Sequence, residues 1–372
     1  MNILQVVRQF LPSTGGMETY VAGLCRQLQL RGHRSDVATL DYLFNSGDPL
    51  PPYEHIDGID VIRLPSRGNA RYFFAPRLLE LLPRYDLVHV HGVDFFVDML
   101  GTLKIIHNQP LVLSTHGGFF HTQWFPSFKK AYFNTATRLS LKGVDRVIAS
   151  SPKDEELFSR ITDNVSLVEN GIDFELFSGV DRKVRGEVLV FVGRISRNKR
   201  VDHLLEAFAI VRERRPRARL VIVGPDWEGL GEGLEQQARS LGIRESVTFA
   251  GNLSQDNLLK TLAGASLFVS ASEYEAFGIS AVEAMAAGII VVVNRIRAFQ
   301  DIVNDGNNGF LTDFSDSPVA AEAIDSALGM REAAAARMGL RAKKAACRYD
   351  WRSVAGEIIA IYQQVLPAGD NG

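Results

Sequence analysis

Two carboxylates, Glu275 and Glu283, stand on either side of a loop-to-helix junction, with seven residues between them. The apolar run at residues 265–271 directly precedes them and predicts a buried parallel strand. Residues 279–287 predict a helix, so Glu275 follows the carboxyl end of a strand and Glu283 lies in the first turns of the next helix. Ligands bind at this edge of an open α/β sheet, which makes both carboxylates candidate ligand contacts.

The backbone between these carboxylates suits an anion. Gly278 loosens the turn, and the N–H groups of Ala276, Phe277, Gly278 and Ile279 are expected to point into the crevice from the helix N-terminus. The neighbouring carboxylates can accept hydrogen bonds from the hydroxyl groups of a ribose or a hexose. An anion and a polyol together indicate a nucleotide sugar.

A basic loop in the same half of the chain carries the opposite charge. Arg194 and Lys199 follow the predicted strand at residues 188–192, again at a strand's carboxyl end. Two cations there can neutralise a diphosphate leaving group and lower the cost of its departure. By itself an Arg–Lys pair is more often solvated surface charge, but its place at a strand end favours the diphosphate role.

The loop after the first predicted strand contains paired glycines, Gly15 and Gly16. A backbone without side chains lets a ligand approach closely, and the following helix N-terminus favours a phosphate. A tight turn that needs glycine explains the loop equally well. The loop has neither a G-x-G-x-x-G pattern nor a Walker A pattern, which disfavours a dinucleotide dehydrogenase.

Three histidines end predicted strands of the first half. His116 follows the strand at residues 111–115, where a polar contact to a sugar or a phosphate is at least as good an interpretation as a structural role. His89 and His91 end the preceding strand, and we expect one of them to face the core.

Strands and helices alternate along the whole chain, which predicts the α/β class. We expect a Rossmann-like domain at residues 1–173, a polar, irregular linker at 174–187, a second Rossmann-like domain at 188–348, and a closing helix with a tail at 349–372. The predicted architecture is two Rossmann-like domains that face each other across a cleft.

Composition narrows the class of protein. The chain has 372 residues, is 46% hydrophobic and carries a formal net charge of −2, so nucleic acid is not an expected partner. Its two cysteines, Cys25 and Cys347, are interpreted as reduced packing residues of a cytoplasmic protein. We find no zinc-type Cys/His spacing, no signal-peptide pattern and no apolar run long enough to span a bilayer.

Two segments combine aromatic side chains with cations. Residues 119–133, which include Lys129 and Lys130, contain no acidic residue, and residues 67–77 have a similar character. Such segments suit an anionic bilayer surface or a lipid-linked diphosphate, although core packing of the rings is an equally good interpretation. On the first interpretation the protein lies on the inner face of the cell membrane.

The spaced combination of these motifs resembles the family 4 glycosyltransferases of GT-B architecture. The resemblance covers nearly all of the chain, and its motifs are GGME at 15–18, STHGG at 114–118, ENG at 169–171, GR…K at 193–199 and EAFG…E at 275–283. The amino-acid sequence at 6–18, 91–96, 114–122 and 348–351 resembles even more closely that of the α-mannosyltransferases of xanthan and acetan assembly.

The resemblance implies GDP-mannose as the donor and a polyprenyl-diphosphate-linked, cellobiose-like oligosaccharide as the acceptor. It implies that Glu283 binds the ribose, that Glu275 holds a hydroxyl of the donor hexose, and that Arg194 and Lys199 grip the diphosphate. Ala276 stands where the family usually has glycine, which can shift the donor slightly.

The same resemblance gives roles to the first half and to the chemistry. Gly16 would touch the diphosphate, and His116 would sit beside the transferred sugar. The family retains anomeric configuration and uses no metal or other cofactor, with the leaving phosphate taking the acceptor's proton. A UDP-sugar donor stays open as an alternative, because no motif distinguishes guanine from uracil. A non-catalytic nucleotide-sugar sensor also stays open, and an assay of turnover against simple binding separates it from an enzyme. A GT-B epimerase ranks lower, because no catalytic acid for it is identifiable.

Overall fold

The chain divides into two compact units. The structure is a computed structural model that describes residues 1–13, 15–44, 46–68, 73–117, 132–184 and 186–367. The first unit contains Met1–Gly171 and Trp351–Gly372, and the second contains Ile172–Asp350. Each unit has its own largely parallel sheet.

The first unit is built on an eight-stranded sheet. Its strand order is β10-β9-β8-β7-β1-β2-β4-β3, and only the β3–β4 pair is antiparallel. Strands β5 and β6 form a separate two-stranded ladder. The strands are β1 (Asn2–Val6), β2 (Arg34–Leu40), β3 (Tyr53–Ile56), β4 (Ile59–Leu64), β5 (Arg67–Gly68), β6 (Phe73–Phe74), β7 (Leu87–His91), β8 (Leu111–Ser114), β9 (Arg146–Ala149) and β10 (Val165–Leu167).

Helices lie between these strands, and the first of them shows why they form. Helix α1 (Gly16–Leu30) buries Val21, Leu24, Cys25 and Leu28, whose spacing places them on one face of a 3.6-residue helix. The other helices are α2 (Leu78–Leu81), α3 (Phe95–Thr102), α4 (Lys104–His107), α5 (Arg138–Ser140) and α6 (Pro152–Phe158), with a π-helical turn at Phe133–Thr137 and 3₁₀ turns at Leu82–Arg84 and Leu141–Gly143.

The second unit is a six-stranded parallel sheet in the order β13-β12-β11-β14-β15-β16. This is the Rossmann order, in which the winding reverses between the first and fourth strands of the sheet, here β11 and β14. The strands are β11 (Val188–Val192), β12 (Arg219–Val223), β13 (Val247–Gly251), β14 (Leu267–Ser270), β15 (Ile290–Asn294) and β16 (Phe310–Thr312).

The helices of the second unit begin inside the segment predicted as an irregular linker. Helix α7 (Phe174–Ser178) forms there because the Asp173 carboxylate accepts a hydrogen bond from Leu176 N at 3.1 Å and Phe177 is buried. The others are α8 (Val201–Arg214), α9 (Gly231–Ser240), α10 (Gln255–Gly264), α11 (Ile279–Ala286), α12 (Arg297–Ile302), α13 (Ser317–Leu328) and α14 (Glu332–Ala346), with 3₁₀ turns at Arg197–Lys199, Arg244–Ser246 and Cys347–Tyr349.

The last helix, α15 (Trp351–Val365), belongs to the first unit. Its Trp351 ring occupies a space that only glycine leaves open. A Cβ at Gly171 would lie 2.4 Å from this ring, and a Cβ at Gly23 would lie 2.8 Å from it. The apolar side of α15 therefore packs on α1 and the sheet of the first unit.

Both cysteines are free thiols, but only Cys25 is buried; Cys347 is exposed, so its predicted packing role is wrong. Cys347 falls in a short turn ahead of α15 that presents it to solvent. None of the helices that the structure describes combines the length and the apolar composition that a bilayer-spanning segment requires.

Candidate functional site

Strands β11 and β14 are neighbours in the sheet of the second unit, so the loops at their carboxyl ends meet. The backbone N–H of Glu273 donates to Asn198 O at 2.9 Å, and Asn198 Nδ2 donates to Tyr274 O at 3.1 Å. The Ser196 hydroxyl donates to Asn198 Oδ1 at 2.8 Å, which orients that amide. These bonds hold two segments that are far apart in sequence in a defined register.

The register brings together two of the predicted site residues, Lys199 and Glu275. Lys199 Nζ donates to Glu275 Oε1 at 2.6 Å, and the two side chains are 16% and 15% exposed. The ammonium group keeps two further N–H donors, and the carboxylate keeps a second oxygen. The pair can therefore bind an anion through Lys199 and a hydroxyl group through Glu275 at the same time.

Gly193 and Gly224 lie at the strand ends beside this ion pair. A Cβ at Gly193 would lie 3.7 Å from Lys199 Nζ, an ordinary contact distance, so the Lys199 side chain packs against the backbone there. A Cβ at Gly224 would lie 2.0 Å from Gly193 O, so only glycine allows the ends of β11 and β12 to approach this closely.

Arg194, the other predicted diphosphate ligand, is exposed at the same strand end. Its guanidinium carbon lies 4.8 Å from the ring centroid of Trp227, which is 40% exposed. A cation over an aromatic face at this distance is worth about 0.5–1 kcal/mol at an exposed site. Trp227 therefore orients Arg194, a role that the sequence analysis did not identify, although a tryptophan just after a strand end is a signal for it.

The turn between the two carboxylates depends on Gly278. Its φ of 98° lies in the left-handed region, and a Cβ there would lie 2.9 Å from the Phe299 ring. Helix α11 begins at the next residue. Within the described part of the chain, the N–H groups of Ala276, Phe277, Gly278 and Ile279 donate to no acceptor. They are thus available to an anion, and their role in binding one stays a prediction.

Glu283 is half-buried in α11, and its carboxylate has no hydrogen-bond or ion-pair partner among the described residues. Burial disfavours its charged form and raises its pKa to about 8. A desolvated carboxyl group without a partner is a candidate ligand contact, because hydrogen bonds from a ligand's hydroxyl groups would compensate for the lost solvation.

The predicted site residues of the first unit lie around α1 and β8. Gly15 occupies the N-cap position of α1, which begins at Gly16, and no side chain of the described residues forms a capping hydrogen bond there. His116 follows β8 with a φ of 51°, a value uncommon for a residue other than glycine. Tyr20 of α1 contacts the His116 ring edge-on, with 4.6 Å between centroids.

The expectation that only one of His89 and His91 faces the core is wrong. Both are fully buried in β7, and their ring centroids are 4.2 Å apart. Residues i and i+2 of a strand share a face, so the two imidazoles had to lie side by side.

The second unit also contains a cavity of about 470 Å³ that the four predicted donor-binding side chains do not line. Its lining includes Arg197, Arg200 and Glu273, but none of Arg194, Lys199, Glu275 and Glu283. Within the described ranges, no group of three or more His, Cys, Asp and Glu side chains could hold a metal ion. The aromatic and basic segment predicted at 119–133 lies outside the described residues up to position 131, including Lys129 and Lys130.

Comparison with known proteins places the chain in a family. Residues 174–345 match the family model of glycosyl transferases group 1, and residues 14–176 match that of glycosyltransferase family 4. A solved structure of Anabaena HepE in complex with UDP and glucose shares the fold, with a TM-score of 0.77, 21% identity and coverage of 98% of this chain and 99% of that one. This fold is GT-B, as predicted.

Two relatives match over their full length. A GDP-mannose:cellobiosyl-diphosphopolyprenol alpha-mannosyltransferase of Xanthomonas campestris is 36% identical, covering 98% of this chain and 97% of the relative. A protein of the same description from Komagataeibacter xylinus is 35% identical, covering 98% and 94%. The chain belongs to the family 4 glycosyltransferases, and the predicted resemblance is confirmed.

Proposed function

We propose that this glycosyltransferase moves mannose from GDP-mannose to a polyprenyl-diphosphate-linked oligosaccharide with retention of configuration. The observation that supports this choice of donor and acceptor is the full-length identity of 36% to a mannosyltransferase that is described by them. The observation that supports a nucleotide-sugar site is the Lys199–Glu275 pair at the switch point of the second sheet.

The donor occupies the second unit on this proposal. The two free N–H donors of Lys199 and the guanidinium group of Arg194 bind the diphosphate, with help from the N–H groups at the start of α11. The free oxygen of Glu275 accepts a hydrogen bond from a mannose hydroxyl. Glu283, which has no partner among the described residues, accepts hydrogen bonds from the ribose.

The reaction breaks the bond between mannose C1 and the β-phosphate oxygen and forms one between C1 and an acceptor hydroxyl oxygen. The acceptor's proton passes to the departing diphosphate, on the face that the new bond occupies. Arg194 and Lys199 stabilise the charge that develops on this leaving group. Because these two side chains are cationic already, the step needs no divalent metal.

The first unit holds the acceptor on this proposal. Gly16 offers a helix N-terminus to the donor diphosphate, since no described side chain forms a capping hydrogen bond with α1. His116 contacts the transferred mannose.

A lipid-linked acceptor requires the enzyme to work at a membrane surface, and the first unit exposes an apolar surface that supports this. Ile105 and Ile106 are 95% and 77% exposed, and Leu139 is 59% exposed. Helices α3 and α5, next to these residues, touch each other, since a Cβ at Gly101 would lie 2.1 Å from Ser140 O. Isoleucines exposed to this extent fit the acyl boundary of a bilayer.

Vesicle sedimentation tests this attachment. The double change Ile105→Ser and Ile106→Ser is expected to lower binding to phosphatidylglycerol vesicles, whereas Leu340→Ser in the second unit, at a residue 67% exposed, is the matched control. Equal loss in both proteins, or no loss in either, would argue against this surface.

A donor panel tests the reaction. The purified protein is incubated with GDP-mannose, UDP-glucose, UDP-galactose or UDP-N-acetylglucosamine and a polyprenyl-diphosphate cellobiose analogue, and products are followed by mass spectrometry. Addition of a hexose from GDP-mannose alone supports the proposal. Transfer from a UDP-sugar would refute GDP-mannose as the donor. Binding without transfer from any donor would refute the proposal that the protein is an enzyme.

A pair of variants tests the site in the same assay. Glu275→Ala is expected to abolish most turnover. Glu273→Ala, two residues earlier, removes a carboxylate that is 56% exposed and pairs with Arg200, and it is expected to leave turnover near the wild-type value. Similar activity of both variants would refute the role of Glu275.

A further inference from the structure

A continuous chain of hydrogen bonds crosses the interior of the first unit and ends at His116. His116 Nε2 lies 3.0 Å from His91 Nδ1, and His91 Nε2 lies 2.8 Å from Gln5 Oε1. Gln5 Nε2 donates to Ser35 Oγ at 3.2 Å, and Ser35 Oγ donates to Cys25 Sγ at 3.3 Å. Among its five members, Gln5, Cys25, Ser35 and His91 are buried. The proposed reaction uses only His116.

The direction of the hydrogen bonds around His91 follows from the amide group of Gln5, whose Oε1 faces His91 and whose Nε2 faces Ser35. Its nitrogen can only donate and its oxygen can only accept, so the His91 nitrogen that faces Oε1 must carry the proton. In a neutral imidazole the other nitrogen, Nδ1, is then an acceptor. His116 Nε2 therefore donates to His91, and the proton of His116 sits on Nε2.

Neither imidazole is charged in this arrangement. Burial disfavours the imidazolium form, holds the pKa of His91 well below its usual value and lowers the pKa of His116 to about 4. Among the described residues, the rings that contact His91 and His116 are His89, Tyr20 and each other. Each imidazole thus has one donor and one acceptor, and each tautomer is set by its partner.

A second set of contacts lies beside this chain of hydrogen bonds and reaches the His116 ring through Tyr20. Tyr362 of α15 and His89 Nδ1 are 2.6 Å apart, and His89 Nε2 is 2.8 Å from Ser114 Oγ. Ser114 is also a hydrogen-bond partner of Tyr20, whose ring contacts His116. The left-handed backbone at His116, with a φ of 51°, is a strained conformation that persists because these neighbours enforce it.

We propose that Gln5 and His91 are positioning residues that hold His116 as the Nε2–H tautomer, so that its Nδ1 atom accepts a hydrogen bond from a hydroxyl group of the transferred sugar. The tautomer follows from the chain of hydrogen bonds alone. The sugar hydroxyl as its partner rests on the proposed function. Within the described residues, Nδ1 of His116 has no hydrogen-bond partner, which leaves it available.

Nitrogen NMR of the full chain tests the tautomer without any assumption about activity. The protein has 8 histidines, so ¹⁵N-histidine labelling gives a small set of signals, each assignable by a single substitution. The expected result is a protonated Nε2 and a bare Nδ1 for both His91 and His116. A protonated Nδ1 at His116 in the wild-type protein would overturn the proposal.

Two substitutions at His91 connect the tautomer to catalysis. His91→Asn keeps an oxygen acceptor near the position of Nδ1, whereas His91→Leu removes it, and both leave Gln5 Oε1 without its partner. We expect His116 to keep the Nε2–H form in the first variant and to become a mixture of tautomers in the second. Transfer from GDP-mannose should then fall in His91→Leu, in kcat/KM, by roughly three- to tenfold relative to His91→Asn, the cost of one neutral hydrogen bond.

Thr39→Val is the matched control for the loss of a buried polar group, because the Thr39 hydroxyl is buried in β2 and has no hydrogen-bond partner among the described residues. It is expected to leave both the tautomer and kcat/KM unchanged. Equal kcat/KM in His91→Leu and His91→Asn would overturn the link to catalysis. A wild-type protein with the expected tautomer but no transfer from GDP-mannose would refute the proposed function and the sugar partner while the tautomer assignment stood.

Discussion

Donor binding should release a proton from Glu283, and the structure sets the size of this effect. Burial raises the pKa of Glu283 to about 8, and no described residue forms a hydrogen bond or an ion pair with it. With that pKa, roughly one tenth of the carboxyl groups are ionised near pH 7. If ribose hydroxyls donate to both oxygens, the donor selects the ionised form and must displace the proton.

The magnitude follows from the ionised fraction. The binding constant for GDP-mannose near pH 7 should lie about tenfold below its value well above pH 8, a difference of about 1.4 kcal/mol. Binding near pH 7 should release close to one proton for each donor bound. The diphosphate of GDP-mannose is a diester and does not titrate in this range, so the proton comes from the protein.

Titration calorimetry in buffers of different ionisation enthalpy measures the released proton directly. Glu283→Gln keeps the shape and one acceptor but cannot ionise, so its affinity should not depend on pH between about 6 and 8.5. Glu275→Gln is the control, since it should weaken binding but keep the proton release of Glu283. A wild-type protein that releases no proton, or a Glu283→Gln variant that keeps the pH dependence, would refute this reasoning.

The same shift makes a statement about stability. The pKa of Glu283 is raised on folding from 4.5 to about 8, so its contribution to stability is present below the lower value and is lost as pH rises through the higher one. Glu283→Gln should therefore raise the unfolding temperature more at about pH 8.5 than at about pH 6, by the equivalent of roughly 2.5 kcal/mol. Equal stabilisation at both pH values would show that the carboxyl group is not desolvated.

Three further results are expected. Gly278→Ala should lower the unfolding free energy by about 1–2 kcal/mol and should also lower turnover, because φ is 98° and a Cβ would meet the Phe299 ring. The control Gly264→Ala should not destabilise the protein, because a Cβ there would meet no described atom outside its own helix within 4 Å. Thermal unfolding compares the two variants, and equal effects would contradict the backbone strain at Gly278. Trp227→Leu should raise KM for GDP-mannose by roughly two- to fivefold through loss of its contact with Arg194, and an unchanged KM would rule out that role. Incubation with EDTA should leave transfer unchanged, and loss of activity restored by a divalent cation would show that the two cations do not suffice.

Local patterns in the sequence predicted much of the fold. The apolar run that contains β14 and the helix that follows it could be placed within one or two residues, because burial on both faces of a parallel sheet leaves a continuous hydrophobic segment. The sequence also predicted that the segment containing α15 is an amphipathic helix. The helix inside 174–187 was missed because five residues carry too short a pattern, and its cap and buried ring become visible only in three dimensions.

The candidate site divides in the same way. Residue type and a position at or after a strand end were the grounds for the prediction of Arg194, Lys199, Glu275 and Glu283 as ligand contacts, because ligands bind where parallel strands end. Their roles stay predictions. The sequence could not show that Lys199 and Glu275 contact each other, since they are separated by 76 positions and meet only through the pairing of β11 with β14. Their separate roles therefore became one site only with the sheet order.

What the sequence determined by itself was the chemistry that each short segment can offer: acids, cations, glycines and histidines at the ends of strands. The tertiary structure alone decided which of these groups share protons and which stay unpaired. The hydrogen-bonded chain from Cys25 to His116 draws on α1 and three strands as well as the turn after β8, and the raised pKa of Glu283 comes from burial by the surrounding fold. Desolvation and hydrogen-bond direction depend on which groups are neighbours in space. The periodicity of a sequence shows which residues share a face of one helix or strand, but it does not show which residues of other elements they contact.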